Sequence, residues 1–466
     1  MPPEGLLFGS GRNSLAAELY GSVADLPLVC PHGHVDPWLL ADPEATLGDP
    51  AEALVSGDHY VFRMLHSRGM PLEELGVRPT ATSSTAADPR AVWQCFAEGF
   101  PLFAATPTGL WLALELSNVF GIETPLNGST AQQVYDELAE KLSLPEYSPR
   151  ALFDRFRIEV LCTTDSILDE LAAHEALHAT GWAGRVRPTL RADPVMRADD
   201  GDWAANVERL AALSDTDVSD YASLVTALSA RLEAFKRLGA TGIDVSVTIP
   251  AAEFLPVAEA DSIVHRGLHG LASAEDGARL AARLVLQFAE LSRDEGLVMQ
   301  LHAGSSRNHH VAGFDHFGAD IGADIPVRTE WTRNLGELLN GYGDDPGFTL
   351  VAYTLDESTL TRELAPLAGY YPALVLGAPW WFLDSPVGIR RFLDAAASIC
   401  GLANTAGFVD DTRAFPSIPA RHEVWRRVCC DWLAELVASG QLDEEAAHRL
   451  ARALAVDFSR DTYRLR

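Results

Sequence analysis

The sequence predicts an α/β fold, namely a (β/α)8 barrel of the TIM type with a helical insertion after the first strand. From residue 158 onward, short apolar runs alternate with stretches of helical period, a pattern typical of a parallel sheet covered by helices. A further apolar run near the N-terminus brings the strand-like runs to eight, the number that closes such a barrel. Polar residues follow most of these runs, at the end where barrels of this kind place their functional sites.

The eight predicted strands are short and apolar, as strands buried on both faces usually are. They are Leu26–Cys30, Ile158–Cys162, Val186–Leu190, Ile243–Thr248, Val298–His302, Thr349–Tyr353, Ala373–Leu376 and Gly407–Val409. Helical patterns precede, separate and follow them, at Ser14–Val23, Ser166–Thr180, Val218–Leu238, Ala274–Glu295, Thr329–Leu339, Gly388–Cys400 and His422–Arg466.

The long interval between the first two strands is helical in pattern. The predicted helices there are Asp58–Ser67, Asp88–Glu98, Gly109–Val119 and Ala131–Leu142, the last with Ser129 and Thr130 as N-cap candidates. We therefore expect one barrel domain over residues 1–466, with residues 40–150 forming a helical lobe within it. Because this lobe follows the first strand directly, it could cover that strand's loop end and exclude water.

Composition limits the classes of partner. A formal net charge of −29 argues against nucleic acid, which is bound by clustered Lys and Arg. No apolar run approaches the ~20 residues that cross a bilayer, so we expect no membrane partner. The N-terminus lacks a basic and then apolar signal layout, which favours the cytoplasm. The six scattered cysteines show no C-x-x-C spacing and are expected to be reduced. Homo-oligomerisation is left open.

Polar side chains gather where the predicted strands end. They are His32, His34, Thr163-Thr164-Asp165, Arg191, Asp193, His302, Arg307, Asn308, Asp356, Trp380-Trp381 and Asp410-Asp411-Thr412-Arg413. The two lysines, Lys141 and Lys236, lie in helical stretches. A second metal bridged by a carbamylated lysine at a strand end is therefore not expected.

His32 and His34 follow the first strand, and residues two apart in extended chain point the same way. In a closed barrel the first and last strands pair, so Asp411 is expected beside them. Two imidazoles and a carboxylate with open positions suit a divalent metal such as zinc. Asp410 could take the place of Asp411, and spacing does not separate the two. His302 is a further ligand, a contact to a substrate hydroxyl, or a core histidine.

Structural alternatives accompany the other candidates. Arg413 could pair with Asp410, and Asp58 and His59 could cap the helix that they introduce. Residues 163–165 are expected to form a strand-end turn and a cap for the helix from Ser166. Tyr60 and Trp381 could be large apolar residues with one wet edge.

Several motifs occur in a recognisable order. They are His32-Gly33-His34, Gly57-Asp58-His59-Tyr60 with Arg63, Thr163-Thr164-Asp165, Arg191-Ala192-Asp193, His302 to Arg307-Asn308, Trp380-Trp381-Phe382, and Asp411-Thr412-Arg413 followed by Arg421-His422-Glu423. Together they resemble the uronate isomerase family, also called glucuronate isomerase, of the amidohydrolase superfamily. The resemblance runs from about residue 10 to 465. One departure is Ala113 in Trp111-Leu-Ala113-Leu-Glu-Leu, where the family usually has a histidine.

The resemblance implies an amidohydrolase-type barrel that isomerises D-glucuronate to D-fructuronate and D-galacturonate to D-tagaturonate, with one divalent metal, often zinc. It implies that His32, His34 and Asp411 hold the metal. The residues implied to surround the sugar acid are His59, Tyr60, Arg191, His302, Arg307, Trp381 and Arg413. Ala113 leaves the preferred uronate open.

The chemistry of such a reaction fits these residue types. An aldose becomes a ketose when a proton leaves C2, an enediol forms and a proton returns at C1. Asp411 is our choice for the base, since a carboxylate held close to carbon in a dry site can carry that proton. Tyr60 and Arg413 could donate to the developing oxygen charges. Arg191 is the leading partner for the sugar's carboxylate.

Three other functions compete with this hypothesis. In a metal-dependent hydrolase the same metal would activate water, and the product would differ in mass from the substrate. An isomerase, epimerase or lyase on another sugar acid is made more credible by Ala113. A barrel that only binds sugar acids is opposed by the intact Asp411, Arg413 and histidine pair.

Overall fold

The computed structural model describes residues 5–9, 13–80, 87–182 and 184–466. Its strands are β1 Leu28–Cys30, β2 Ile158–Ser166, β3 Val186–Arg191, β4 Gly242–Val247, β5 Val298–Ala303, β6 Ser305–Ser306, β7 Ile325–Pro326, β8 Leu350–Thr354 and β9 Leu374–Leu376. Seven of them form one parallel sheet in the order β1-β2-β3-β4-β5-β8-β9, while β6 and β7 form a small antiparallel hairpin. The predicted α/β barrel class is confirmed, and the hairpin was not predicted.

Helices surround this curled sheet. They are α1 Asn13–Val23, α2 Trp38–Ala41, α3 His59–His66, α4 Pro89–Gly99, α5 Pro107–Leu114, α6 Ala131–Leu142, α7 Pro149–Arg155, α8 Ala172–Ala179, α9 Trp203–Ser214, α10 Tyr221–Arg237, α11 Val257–Leu268, α12 Ala274–Glu295, α13 Val311–Phe317, α14 Gly336–Tyr342, α15 Ala365–Ala368, α16 Pro386–Ile399, α17 Ile418–Ala438, α18 Glu444–Arg452 and α19 Phe458–Thr462. In the parts of the chain that are described, no helix combines the length and apolar character needed to cross a membrane.

The predicted eighth strand at Gly407–Val409 was wrong as a strand, because the ladder stops after one bridge between Leu376 and Thr405. Beyond it, Gly407 has a φ of +74°. The Phe408 amide and carbonyl bond to the side chain of Ser459 instead of a neighbouring strand. The two sheet edges still meet, since the His34 amide donates to the Thr412 carbonyl at 2.8 Å.

Two predicted helices start later than the apolar pattern indicated. The helix expected from Ser166 does not begin until Ala172, because β2 continues to Ser166 and pairs there with Arg191 of β3. Residues 163–165 therefore cap no helix. The helix expected at Thr329–Leu339 is the shorter α14.

The helices inserted between β1 and β2 match the predicted ones within a few residues. Asp58 is the N-cap of α3, where its carboxylate accepts from the Tyr60 amide at 2.8 Å. At α6, Thr130 occupies the N-cap position without a side-chain capping bond.

Buried apolar residues form two clusters. The larger fills the space between the sheet and its outer helices. The second joins apolar residues of the inserted helices, such as Trp93 and Phe96, to Leu28 of β1 and Ile158 of β2. The inserted helices therefore pack directly on the first edge of the sheet. All six cysteines are free thiols, as predicted.

Candidate metal centre and active site

The loop after β1 is fixed from two sides. The hydroxyl of Thr164, on the adjacent β2, donates to the Gly33 carbonyl at 2.8 Å. The His34 amide is bound by the Thr412 carbonyl on the other side. A Cβ at Gly33 would lie 3.5 Å from the Thr412 carbonyl oxygen. The segment that carries Thr412 therefore passes close to the loop that carries His32 and His34. These contacts bring the histidine pair beside Asp411.

His32, His34 and Asp411 converge. Asp411 Oδ1 lies 3.2 Å from His34 Nε2 and 3.6 Å from His32 Nε2, and one ligand atom of each lies within 4.8 Å of the others. Asp411 Oδ1 is buried and has no hydrogen-bond partner. Two imidazoles and an unpartnered carboxylate oxygen form a donor set that fits a divalent cation.

Burial sets the charge of these groups. It lowers the pKa of His32 to about 3, with a further contribution from His302, and it also lowers the pKa of His34. Burial alone would raise the pKa of Asp411, but the neighbouring His34 and His32 hold it well below its ordinary value. At neutral pH the site therefore has neutral imidazoles and an ionised carboxylate, the forms that bind metal.

The structure separates the two adjacent aspartates. Asp410 points to a different buried cluster, with its Oδ2 3.4 Å from His422 Nε2, which in turn lies 3.6 Å from Cys30 Sγ. Asp411 alone of the two lies beside His32 and His34. The alternative pairing of Arg413 with Asp410 is also not found, since Arg413 Nη2 lies 2.9 Å from Asp320 Oδ1.

His302, on β5, lies beside the same centre. Its ring centroid is 4.7 Å from that of His32. The same ring stacks on Tyr353, with 4.2 Å between the two ring centroids. Its Nδ1 donates to Asp244 Oδ1 at 2.7 Å. His32, Asp244 and His302 form a second group whose spacing could hold a metal. Asp244 was missed from the sequence, although a carboxylate inside an otherwise apolar strand was a usable signal.

Aromatic side chains from the inserted helices and the β9 end form one wall. The ring centroid of His59 lies 4.6 Å from that of Trp381, and the ring centroid of Tyr60 lies 5.6 Å from that of Trp111. Burial, together with nearby Arg413, lowers the pKa of His59 to about 3, so this imidazole is neutral. The structure thus brings His59, Tyr60 and Trp381 together in one wall.

The predicted arginines are held by carboxylates. Arg191 Nε lies 2.8 Å from Asp193 Oδ2, and Arg307 Nη1 lies 3.0 Å from Asp324 Oδ2. Burial alone would raise the pKa of Asp320. The nearby positive charge of Arg413 outweighs that effect and helps to lower the pKa of Asp320 below its ordinary value.

A buried network behind Tyr60 was not predicted. The Tyr60 hydroxyl donates to Asp384 Oδ2 at 3.0 Å, and Arg421 Nη1 lies 3.3 Å from the same oxygen. The Arg421 guanidinium also lies over the rings of Trp111, at 4.0 Å, and Tyr60, at 4.7 Å. Arg421 is part of the Arg421-His422-Glu423 motif, but the sequence indicated no role for it. For Asp384, the only indication in the sequence was its position shortly after Trp380-Trp381.

The remaining sequence features have structural explanations. Thr163 donates to Asp165 Oδ2 at 2.7 Å, and that oxygen lies 3.2 Å from His174 Nε2, which makes residues 163–165 part of a buried polar cluster. Ala113 is exposed on α5, whereas Trp111 of the same helix is buried under Arg421. The departure at Ala113 thus lies on a different face from the Trp111 contact.

Comparisons with known proteins agree with this geometry. A sequence model of a family described as glucuronate isomerase matches residues 10–460. A uronate isomerase of Nostoc punctiforme is 49% identical over 97% of this chain and 96% of its own length. The crystal structure of glucuronate isomerase from Caulobacter crescentus matches with a TM-score of 0.97 at 41% identity, covering 100% of this chain and 97% of that one. A uronate isomerase structure from Thermotoga maritima matches with a TM-score of 0.92 at 28% identity over 99% of each chain. The chain therefore belongs to the glucuronate isomerase family and is an enzyme of the isomerase class.

Proposed function

We propose that this enzyme isomerises D-glucuronate to D-fructuronate and D-galacturonate to D-tagaturonate by proton transfer through an enediol. The observation that carries the proposal is the convergence of His32, His34 and Asp411. The aromatic wall of His59 and Trp381 adds to it. Membership of the family supplies the substrate class, and the residues supply a base and donors for the chemistry.

We propose that His32, His34 and Asp411 hold one divalent cation, with zinc as the expected metal. The donor set supports this assignment, because both imidazoles are neutral and Asp411 Oδ1 has no other partner. A cation bound there would supply positive charge that polarises and orients the oxygen atoms of the sugar acid.

The protein's own residues would move and stabilise the charges. Asp411 is ionised at neutral pH and can receive the C2 proton and return it to C1. Arg413 is only a quarter exposed, so its guanidinium can stabilise negative charge on the enediol oxygens. Because these groups are fixed before the substrate binds, the charge that develops in the transition state meets donors already in place.

Substrate recognition is proposed for a larger set of side chains. Arg191, which is one-fifth exposed, is the candidate for the sugar's carboxylate because its fork can bind both oxygens. Proposed contacts to the sugar's ring and hydroxyls are His59, His302, Arg307 and Trp381. His302 supports this assignment best, because the Asp244 carboxylate binds its Nδ1 and holds the ring in place beside His32.

We further propose that residues 1–466 form a single (β/α)8 barrel domain and that residues 40–150 are a helical lobe within it. The apolar cluster shared by the inserted helices with β1 and β2 supports one domain. The six free thiols favour a reducing compartment such as the cytoplasm.

Proton NMR tests the function directly. Zinc-loaded protein is incubated with D-glucuronate and, separately, with D-galacturonate, and the anomeric signals of the aldose are followed with time. We expect these signals to decline as ketouronate signals appear. Mass spectrometry should show that the product has the same mass as the substrate. No conversion of either sugar by folded, metal-bound protein would refute the proposal, and a product of different mass would favour the hydrolase.

A further inference from the structure

A second buried cluster of metal-ligating side chains lies outside the centre around Asp411. It consists of Cys30 at the end of β1, Asp410 in the segment before α17, and His422 on α17. Each of these three residues is at most 2% exposed, and one ligand atom of each lies within 4.8 Å of the others. A thiol, a carboxylate and an imidazole from three separate parts of the chain thus meet at one buried point.

The distances within this cluster match those between the ligands of a tetrahedral zinc ion. His422 Nε2 lies 3.6 Å from Cys30 Sγ and 3.4 Å from Asp410 Oδ2. At a tetrahedral angle, the usual zinc bond lengths place sulfur about 3.6 Å from nitrogen and nitrogen about 3.4 Å from oxygen. A cation could therefore bind the three atoms with little movement of their side chains.

Hydrogen bonds within the cluster leave buried atoms without partners. Among the described residues, neither Asp410 Oδ2 nor His422 Nδ1 has a hydrogen-bond partner. The Nε2 atom of His422 carries either one proton or one lone pair, although both the thiol and the carboxylate lie beside it. An unpartnered buried carboxylate oxygen is costly, and a cation between the three ligand atoms would remove that cost.

The charges and the sulfur atom favour a particular class of cation. A thiolate, a carboxylate and a neutral imidazole carry two negative charges, which a divalent ion neutralises. Thiolate sulfur selects zinc or cobalt over magnesium or calcium. Binding releases the thiol proton of Cys30 to solvent. Because that proton must leave, and because Asp411 next to Asp410 is the proposed ligand of another cation, we expect weaker binding here than at the centre around Asp411.

The cluster lies where no strand closes the sheet. β1 pairs with β2 on one side, and the ladder at the opposite edge of the sheet ends just beyond β9. Cys30 belongs to β1, Asp410 follows the segment 407–409, which forms no strand, and His422 belongs to α17. A cation bound to all three residues would join β1 to that segment and to α17.

One side of the cluster borders a cavity. His422 is among the residues that line this cavity, which has a volume of about 400 Å³. Three arginines also line it, but Arg155 and Arg426 donate to backbone carbonyls and Arg157 is paired with Asp25. The cavity gives a small ion an approach to the cluster from the side of α17.

We propose that Cys30, Asp410 and His422 form a second divalent-cation site of the zinc type, with a fourth position for water. It fills after the centre around Asp411, and dialysis empties it first. Its role is structural, since it joins β1 to the segment that takes the place of the eighth strand. The site does not depend on the uronate reaction.

Titration of metal-free protein with Co²⁺ tests this site. Sulfur bound to Co²⁺ gives an intense charge-transfer absorption in the near ultraviolet, whereas the two histidines and the carboxylate of the first centre do not. We expect the first equivalent to give only weak d–d bands and the second to give the charge-transfer band. Zn²⁺ should abolish this band and Mg²⁺ should not. The second equivalent should also raise the melting temperature, because the folded state alone binds it.

Cys30→Ser should lose the charge-transfer band and the second rise in melting temperature but keep the bands of the first equivalent. Cys429→Ser is the matched control, because Cys429 is also buried and lies on α17 but outside the cluster; it should keep both signals. Asp410→Asn, which leaves the thiol in place, should weaken binding of the second equivalent by at least about 10-fold.

The urea midpoint of each metal-free variant shows whether it folds like the wild type. Absence of the charge-transfer band from the wild type would overturn the second site. The same band in Cys30→Ser, or its loss in Cys429→Ser alone, would also overturn it. None of these results bears on uronate turnover, which is measured separately by proton NMR.

Discussion

At the scale of single residues, two adjacent aspartates are separated by backbone conformation. Asp411 has a φ of +46°, in the left-handed region that Asp tolerates better than most residues. Asp410 reaches Cys30 and His422, whereas Asp411 reaches the two metal-site histidines. A spacing rule treats these neighbours alike, which is why the sequence left both open.

The base is tested by Asp411→Asn. The amide keeps the size of the side chain but cannot take a proton, so we expect kcat to fall by a factor of about 10²–10⁴. Steady-state kinetics should be measured with metal content determined on the same samples. A variant that retains wild-type kcat at equal metal loading would show that Asp411 is not the base.

His59 makes stability depend on pH. Its pKa is about 3 in the folded chain and about 6.5 when unfolded, so between these values the unfolded state binds one more proton. Stability is therefore lost as the pH falls below 6.5, by up to about 1.4 kcal/mol per pH unit. Urea unfolding of metal-free protein between pH 7 and 5 should show a shallower slope for His59→Gln. Equal slopes for both proteins would contradict this assignment.

At the scale of elements, local signals predicted some boundaries and failed at others. The bounds of α12 were predicted correctly, since Ser273 and Asp276 form a capping box and Gly296 ends the helix at a φ of +68°. The segment 407–409 has strand-like residues, but its backbone is used by Ser459. That contact comes from a helix 51 residues away, and no local pattern encodes it.

The N-cap of α3 has a testable energetic role. Asp58→Ala removes the acceptor for the Tyr60 amide, and we expect a loss of about 1 kcal/mol in the free energy of unfolding. Asp58→Asn keeps an oxygen at the cap and should lose less. Because α3 carries His59 and Tyr60, the alanine variant should also have lower kcat/KM. Equal urea midpoints for the two variants would count against this role.

At the scale of the molecule, barrel topology explains which site residues were predictable. His32 and His34 follow β1, and the expected meeting of the first and last barrel elements brings Asp411 beside them. It does so through the bond from the His34 amide to the Thr412 carbonyl, although residues 407–409 form no strand. Asp384 and Arg421 belong to the buried network behind Tyr60, which is 324 residues from Asp384. A residue whose function depends on such a contact, within a helix or an irregular loop, is not marked by spacing.

Metal content follows from the same assembly. We expect about one divalent ion per chain in the wild type. His34→Asn should lose most of it, and with it the stabilisation that a ligand bound only by the folded state provides. His448→Asn is the matched control, since His448 lies on α18 beside Glu18. Elemental analysis and thermal melts of dialysed samples measure both effects. Equal metal content in the two variants would argue against His34 as a ligand.

The most direct test of the account is the fate of the C2 proton in deuterium oxide. Asp411 has a 16% exposed side chain, so a proton that it carries can exchange with solvent before returning to carbon. We predict ketouronate that has deuterium at C1, detected by proton NMR and mass spectrometry. Ketouronate in which C1 carries only the original protium, as an internal hydride shift would give, would contradict the account.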